Sequence, residues 1–419
     1  MIDIKIVREN PEIIRNDLEK RQSSFQLDEL IEKDKEWREN KQKLEKMKAE
    51  KNKVTAEIAK KKDEKKMKQM KELGSDIKKT EELVVKLEAE VKNLLMRCPN
   101  ILHDSVPTGK DDGENQTAKE WGKKRTFDFE LKPNGEIAEA LDIADFERAT
   151  KASGSGFVYV KGELALLDQA LMQFAISHLN SKGYVPVETP MMMCRKAYEG
   201  VTDLSDFESV MYKIEGEDLY MIATSEHPLG AMFMNEIISE EKLPIKFAGI
   251  SACFRKEIGK HGVDTRGFFR MHQFNKIEQF VFCKPEQSWA LHEEILKNAE
   301  EIFQKLEIPY RVVNVCTGDI GTVAAKKYDI EAWSPRQNKY VEVVSCSNCT
   351  DYQARRLNIR MGKAGGDKKA LHTLNSTAVA TSRALVVILE NYQNKDGTIT
   401  VPKVLQPYMN GVKVIGKKK

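Results

Sequence analysis

Apolar residues in the first hundred positions recur at steps of three and four. Leu30, Trp37, Leu44 and Ile58 share one heptad position, with Met47 and Val54 on the adjacent one. Further on, Met70, Leu73, Ile77, Thr80, Val84, Leu87, Val91 and Leu94 alternate the two steps. This spacing lays a single apolar seam along a helix. Leu27 to Arg97 contains no proline and only Gly74 as a glycine, so little interrupts it. The seam lapses at Lys60-Lys61-Lys62-Asp63-Glu64-Lys65-Lys66. A turn there predicts two helices of about 35 residues, each about 50 Å long, folded back as an antiparallel coiled coil. A parallel dimer fits less well, because each seam is short and a charged break separates them. Cys98-Pro99-Asn100 ends the second helix, since proline cannot continue it.

Beyond Asn100 the pattern changes. A stretch rich in Gly, Asp, Pro and Asn reads as a loop to about Pro133. The remainder mixes both periodicities. Gly162–Asn180 reads as a helix with Leu164, Leu167, Leu171, Phe174 and His178 along one side. Phe247–Phe254 and Phe269–Phe282 read as strands around a polar loop, and Ser382–Gln393 as a closing helix. The expected organisation is an N-terminal helical domain at 1–100 with its coiled-coil arm at about 27–97, a connecting segment at 101–133, and a domain at 134–419. The order of elements in the last predicts an α+β fold built on an antiparallel sheet.

Length and charge sharpen this outline. At 419 residues the chain exceeds one ordinary domain. The net charge of +3 decides nothing, but its distribution does. Between Lys41 and Lys71 thirteen lysines face five acidic residues. That bias suggests contacts to nucleic-acid phosphates, although a solvated coiled-coil face explains it equally. Met1-Ile2-Asp3-Ile4-Lys5 shows no basic segment leading into an apolar run, and no apolar run reaches membrane-spanning length. The seven scattered cysteines suit a reduced compartment, and together these features point to the cytoplasm. Cys346-Ser347-Asn348-Cys349 has no second pair at ligand spacing, so a zinc site is not expected. No GxxxxGK[ST] or GxGxxG loop is present, which argues against a P-loop or Rossmann site.

Three segments of the second half carry a family signature. Gly183-Tyr184-Val185-Pro186-Val187-Glu188-Thr189-Pro190 resembles motif 1 of class II aminoacyl-tRNA synthetases, the dimer-building motif. Phe254-Arg255-Lys256-Glu257, followed by a loop and Arg270-Met271-His272-Gln273-Phe274, resembles motif 2. Asn375 to Arg383 resembles motif 3. The match then narrows to the seryl enzymes of the non-zinc type. It does so through Thr224-Ser225-Glu226, His272 to Glu278, Glu342-Val343-Val344-Ser345-Cys346-Ser347, and Leu389-Glu390-Asn391-Tyr392-Gln393. The basic coiled coil followed by Pro99-Asn100 belongs to the same likeness, which covers nearly the whole chain. Two departures stand out. Motif 3 has two glycines where this chain has Ala378 and Ala380, and Gly156 stands where a basic residue is expected.

The resemblance implies an ATP-dependent ligase that joins L-serine to serine tRNA through a seryl-adenylate, with Mg²⁺ as cofactor. It also implies a homodimer, and neither a membrane nor DNA as a partner. The serine carboxylate is already anionic, so activation needs positioning and charge neutralisation rather than a protein nucleophile. The residues it implies as catalytic are Arg255, Arg270 and Arg383. Arg255 bridges the serine carboxylate and the α-phosphate through its planar fork. The ATP site adds Lys256, Glu257, Met271, Phe274, Glu342, Val343, Val344 and Ser345. Of these Glu342 and Ser345 hold the metal, and Phe274 either stacks on adenine or packs in the core. The serine site takes Thr224, Ser225, Glu226, Arg255, Glu278, Asn375 and Thr377. The loop Gly259 to Gly267 faces the acceptor end, and Lys60, Lys61, Lys62, Lys65 and Lys66 grip the tRNA. Two rivals fit less well. A non-catalytic paralog is expected to lack Arg255, Glu342 or Arg383, and a ligase acting on a carrier protein lacks the arm.

Overall fold

A computed structural model describes residues 1–60, 64–203, 208–257, 267–363 and 366–416. The chain forms two compact units, Met1–Ile101 and Leu102–Lys419. In the first, two short helices, α1 (Ile4–Glu9) and α2 (Pro11–Lys20), precede two long ones, α3 (Leu27–Lys60) and α4 (Glu64–Arg97). Asp3 caps α1 by accepting from the Lys5 amide at 2.9 Å, and Pro11 opens α2, where a missing N–H costs nothing. Ion pairs fix the direction of the long pair. Lys33 meets Glu90 at 3.2 Å, Lys48 meets Glu81 at 2.6 Å, and Lys66 meets Glu57 at 2.7 Å. As one partner's number rises the other's falls, which only an antiparallel hairpin produces.

Leu30, Leu44, Ile77, Val84, Leu87 and Val91 are buried along the seam, each contributing about 1.5–3 kcal/mol when fully buried. The exposed ion pairs contribute about 0–1 kcal/mol apiece, so the seam holds the arm together. At its end Leu95, not Leu94, is the buried residue. Near its base Asp34 is buried between Arg8 at 2.7 Å and Arg38 at 2.9 Å, tying α1 to α3.

The second unit is built on an eight-stranded sheet. Its strands are β1 (Gln116–Trp121), β2 (Val185–Glu188), β3 (Ile245–Phe254), β4 (Gln273–Cys283), β5 (Tyr310–Asn314), β6 (Lys326–Ser334), β7 (Lys339–Asn348) and β8 (His372–Ala380), in the order β1-β5-β6-β7-β8-β4-β3-β2. Every pairing is antiparallel except β2 with β3. The stretch read from sequence as a loop thus supplies the edge strand β1, and it clusters with the second unit rather than linking two. β4 begins at Gln273, later than the expected Phe269, because 267–270 are bends.

Helices α5 (Gly162–Asn180), α6 (Ser288–Lys305) and α7 (Thr381–Asn391) supply the main core with Leu167, Phe174, Ile295, Phe303 and Ile388, which packs with Ile277 and Val281 of β4. The alternate residues of β4 turn to the other face, as the period-two pleat requires. There Phe280 and Phe282 join a second apolar cluster with Tyr198 and Leu229. Nearer the start of β4, Glu278, Lys276 and Phe274 occupy this same face and line a cleft. Among the described residues no helix is long and apolar enough to cross a membrane.

Candidate active site

The cleft encloses about 560 Å³. Two bulges aim its walls. Between Thr377 and Val379 the β8–β4 ladder skips Ala378, so Thr377 stays opposite Glu278 while Ala380 comes opposite Lys276. Asn375, Thr377 and Ala380 therefore all line the cleft. Between Ile330 and Glu331 the β6–β7 ladder skips Val343, which lets Glu342 and Ser345, three positions apart, share the cleft side. Extra residues of this kind re-aim side chains near functional sites. Neither Ala378 nor Ala380 has a positive φ, so the glycines expected there are not demanded by the backbone. At Gly156 the opposite holds. Its φ is +83°, and a Cβ would lie 2.2 Å from His272 Cδ2, so this glycine exists to let His272 approach.

One end of the cleft is a pocket with two carboxylates. Glu226, the first residue of a short helix Glu226–Ala231, has its amide bonded to Thr224 Oγ1 at 3.2 Å. Its Oε1 accepts from Gln353 and Asn375, both at 3.1 Å. Burial, and then the charge of Glu278, push the Glu226 carboxyl up to about 7. Glu278 is itself buried and raised by desolvation. Lys276 holds it at 2.6 Å, and the Thr377 hydroxyl donates to it at 3.2 Å. Beneath them the His227 ring meets the Tyr198 hydroxyl at 3.0 Å, and burial holds it neutral, with its pKa down to about 3.

The other end gathers guanidinium groups. Arg255 leaves β3 with its Nε bonded to the Ala223 carbonyl at 3.3 Å and its guanidinium 5.3 Å from the centre of the Phe274 ring. Among the described residues no carboxylate forms an ion pair with it. Arg383 sits in the first turn of α7, where the helix dipole disfavours a cation. Its Nη1 donates to the Glu342 carbonyl at 2.6 Å, and its guanidinium packs over Phe269 at 4.3 Å. Burial lowers its pKa first, the Glu342 carboxylate at 3.8 Å opposes that, and the charges of Arg255 and Arg270 lower it further. Arg270 is partly exposed and pairs with Glu257 at 3.4 Å. Three like charges close enough to oppose one another form a site for a polyanion.

Most residues expected from sequence meet in this cleft: Thr224, Glu226, Arg255, Glu257, Met271, Phe274, Glu278, Glu342, Val343, Ser345, Asn375, Thr377 and Arg383. Phe274 stands in the cleft wall, outside both apolar cores. Four do not line it. Ser225 is fully buried behind the wall, its hydroxyl donating to the Gly249 carbonyl at 3.3 Å. Val344 packs in the main core, on the far side of the pleat from Ser345. Lys256 has its amide bonded to Val210 O at 2.8 Å and its ammonium over the Tyr212 ring. Arg270 reaches the rim only through Glu257. In the arm, Lys66 is engaged by Glu57 across the hairpin and Lys65 is exposed near the start of α4. Lys61 and Lys62, the side chain of Lys60, and residues 258–266 lie outside the described residues.

Sequence reasoning missed Lys276, Gln353, Lys327 and Asp329. Lys276 had a signal, two residues before Glu278 on one strand face. Asp329 had none, because only the β6–β7 register sets it opposite Ser345. It is buried, its Oδ1 has no hydrogen-bond partner, and desolvation raises its pKa to about 7.

Comparison with known proteins agrees with this geometry. Residues 1–102 match the family model of the seryl-tRNA synthetase N-terminal domain, and residues 210–392 match that of the class II tRNA synthetase core domain (G, H, P, S and T). The serine–tRNA ligase of Methanocorpusculum labreanum is 58% identical over 425 residues, covering 99% of this chain and 100% of its own. The chain belongs to the seryl-tRNA synthetase family. The seryl-tRNA synthetase of Pyrococcus horikoshii, solved with ATP, superposes with a TM-score of 0.95 at 48% identity, covering 99% of both chains. The cytoplasmic enzyme of Naegleria fowleri, solved with AMP, gives 0.90 at 40% identity, covering 99% of this chain and 98% of its own. The second unit thus carries a seryl-tRNA synthetase core, and the α3–α4 hairpin lies within the family's N-terminal domain.

Proposed function

We propose that this chain ligates L-serine to serine tRNA at the expense of ATP, through a seryl-adenylate. The observation that carries the reading is the convergence of Arg255, Arg270 and Arg383 beside a pocket holding two carboxylates. The arginines offer donors to a triphosphate and an amino-acid carboxylate, and the two carboxylates offer acceptors to an ammonium and a hydroxyl. Arg255 stands between the two ends, so its fork orients the serine carboxylate for in-line attack on the α-phosphorus and offsets the charge moving onto the phosphate. Arg383 and Arg270 hold the triphosphate, with Glu257 and Phe274 on the adenine. Serine's ammonium lies between Glu226 and Glu278, and its hydroxyl meets Glu278, Asn375 and Thr377.

Glu342 and Ser345 fit Mg²⁺ as hard oxygen donors. Across the ladder from Ser345, one oxygen of Asp329 has no hydrogen-bond partner, while Lys327 stands 3.7 Å from the other. When bound, Mg²⁺ neutralises phosphate charge. No group of three or more His, Cys, Asp or Glu side chains able to hold a metal is present among the described residues, so phosphate and water complete its shell. The exposed edge strand β2, with Val185 at 55% and nearby Met191 at 46% and Met192 at 43% exposed, supports assembly as a homodimer. We place the activity in the cytoplasm. Acid-gel detection of seryl-tRNA tests the function. Charging is expected to require ATP, serine and serine tRNA together, and its absence overturns the reading.

Two consequences concern the serine pocket. Because Glu226 titrates near 7, it is ionised above that pH and protonated below it, when it no longer pairs with the ammonium. The KM for serine is expected to rise about tenfold between pH 8 and pH 6, as a single titrating group requires. Glu226→Gln is expected to raise KM and flatten that dependence. A wild-type KM unchanged across this range removes Glu226 from ammonium binding. Alanine lacks only the hydroxyl, so it is rejected by leaving polar groups unpaired, at about 1–3 kcal/mol each. Thr377→Ala is expected to lower kcat/KM for serine far more than for alanine. An unchanged ratio places hydroxyl reading elsewhere.

A further inference from the structure

Lys276 is buried in the cleft wall, at 6% exposure, where an ammonium requires dedicated partners. Its Nζ lies 2.6 Å from Glu278 Oε2 and donates to Thr377 Oγ1 at 3.5 Å, while Thr377 donates to that same Glu278 oxygen at 3.2 Å. An ammonium only donates and a carboxylate only accepts, so the sense of this triangle is fixed. The Thr377 hydroxyl has one orientation, and Glu278 Oε2 is taken. Glu278 Oε1 is the oxygen left for a ligand.

The charges around Lys276 give it a second effect. Facing it are Glu226 and His227 from the short helix, Arg255 and Cys253 at the end of β3, and Glu278 on its own strand. His227 is neutral and the Cys253 thiol is pushed up by burial. The cations countering two buried carboxylates are therefore Lys276 and Arg255. Arg255 is engaged by neither, as it faces the triphosphate end.

We propose that Lys276 is the positioning residue of the amino-acid pocket: by locking Thr377 and one oxygen of Glu278, it presents the other oxygen to the substrate hydroxyl and so sets the choice of serine over alanine without touching substrate. The inference rests on the serine reading of this cleft. It is tested by ATP–pyrophosphate exchange with serine and alanine across pH 6–9, using wild type, Lys276→Met, Lys276→Arg and the double variant Lys276→Met/Glu278→Gln.

Lys276→Met is expected to lower the serine-to-alanine ratio of kcat/KM by about tenfold or more. It is also expected to move the acid limb of the serine profile up by about one pH unit, since both carboxylates lose their nearest cation. Lys276→Arg, which keeps the charge, is expected to leave that limb near its wild-type position. The double variant removes the charge pair together, so it keeps a fold that an unpaired Glu278 would strain. It is expected to return the limb toward wild type while the ratio stays low. Should Lys276→Met not fold, Lys276→Arg decides, because its planar fork cannot reproduce the ammonium's contacts to Glu278 and Thr377: a lowered ratio supports the proposal and a wild-type ratio overturns it. A wild-type ratio and limb in a folded Lys276→Met, with only its melting temperature lowered, overturn it as well. A wild-type enzyme without serine-dependent exchange refutes the functional reading instead.

Discussion

Arg255→Ala is expected to lower serine-dependent ATP–pyrophosphate exchange by about 10²-fold or more, the usual scale for losing a group aimed at developing charge. That is about 2.7 kcal/mol of transition-state stabilisation. The guanidinium forms no ion pair among the described residues, and Lys276 remains 2.6 Å from Glu278 when it is removed, so the fold is expected to survive. Its Nε is held by the Ala223 carbonyl, which leaves the fork edge for ligand. Loss of a group acting mainly in the transition state lowers kcat and kcat/KM together, with little change in KM. Arg255→Lys is expected to recover little, because a point charge cannot bridge a carboxylate and a phosphate at once. Exchange within a few-fold of wild type in the alanine variant removes Arg255 from the mechanism.

Deleting Leu30 to Leu94 and joining the ends with a short bridge is expected to separate the two steps of the reaction. Lys33 and Glu90 lie 3.2 Å apart, so the cut ends are neighbours and a few residues span them. The removed segment carries its own core, Leu44 with Ile77 and Val84, and lines no part of the cleft. Serine activation is therefore expected to stay within about twofold of wild type. Charging of serine tRNA is expected to fall by about 10²-fold or more, the scale of losing several phosphate contacts together. A rigid rod suits this substrate, since RNA helices are recognised by shape and backbone rather than by base edges. Undiminished charging by the shortened protein refutes the arm's assignment.

The arm was legible because a coiled coil writes itself into sequence as a heptad, and each seam residue reports one local fact. The catalytic strings were legible for another reason: their residue types are constrained by phosphate and carboxylate chemistry. What the strings could not resolve was which side of the pleat each neighbour takes. Val344 sits inside a matching string yet faces the core, because adjacent strand residues point opposite ways, while Ser225, at the start of the helix Glu226–Ala231, is buried against the Gly249 carbonyl. Strand β1 escaped notice because all its residues, Gln116 to Trp121, are exposed, so no apolar alternation marks it. Asp329 and Gln353 enter the site through pairings between distant segments, and no local pattern encodes those. The pairing of Lys66 with Glu57 likewise follows from the hairpin register, which no local pattern encodes.

Activation of serine with ATP in this cleft is the step on which the roles of its residues depend. Serine-dependent ATP–pyrophosphate exchange measures that step alone, without tRNA or the arm. With ATP and Mg²⁺ present, saturable exchange with serine is expected, and exchange with alanine and threonine weaker by orders of magnitude. No serine-dependent exchange from folded protein, or exchange driven equally by all three amino acids, would contradict it.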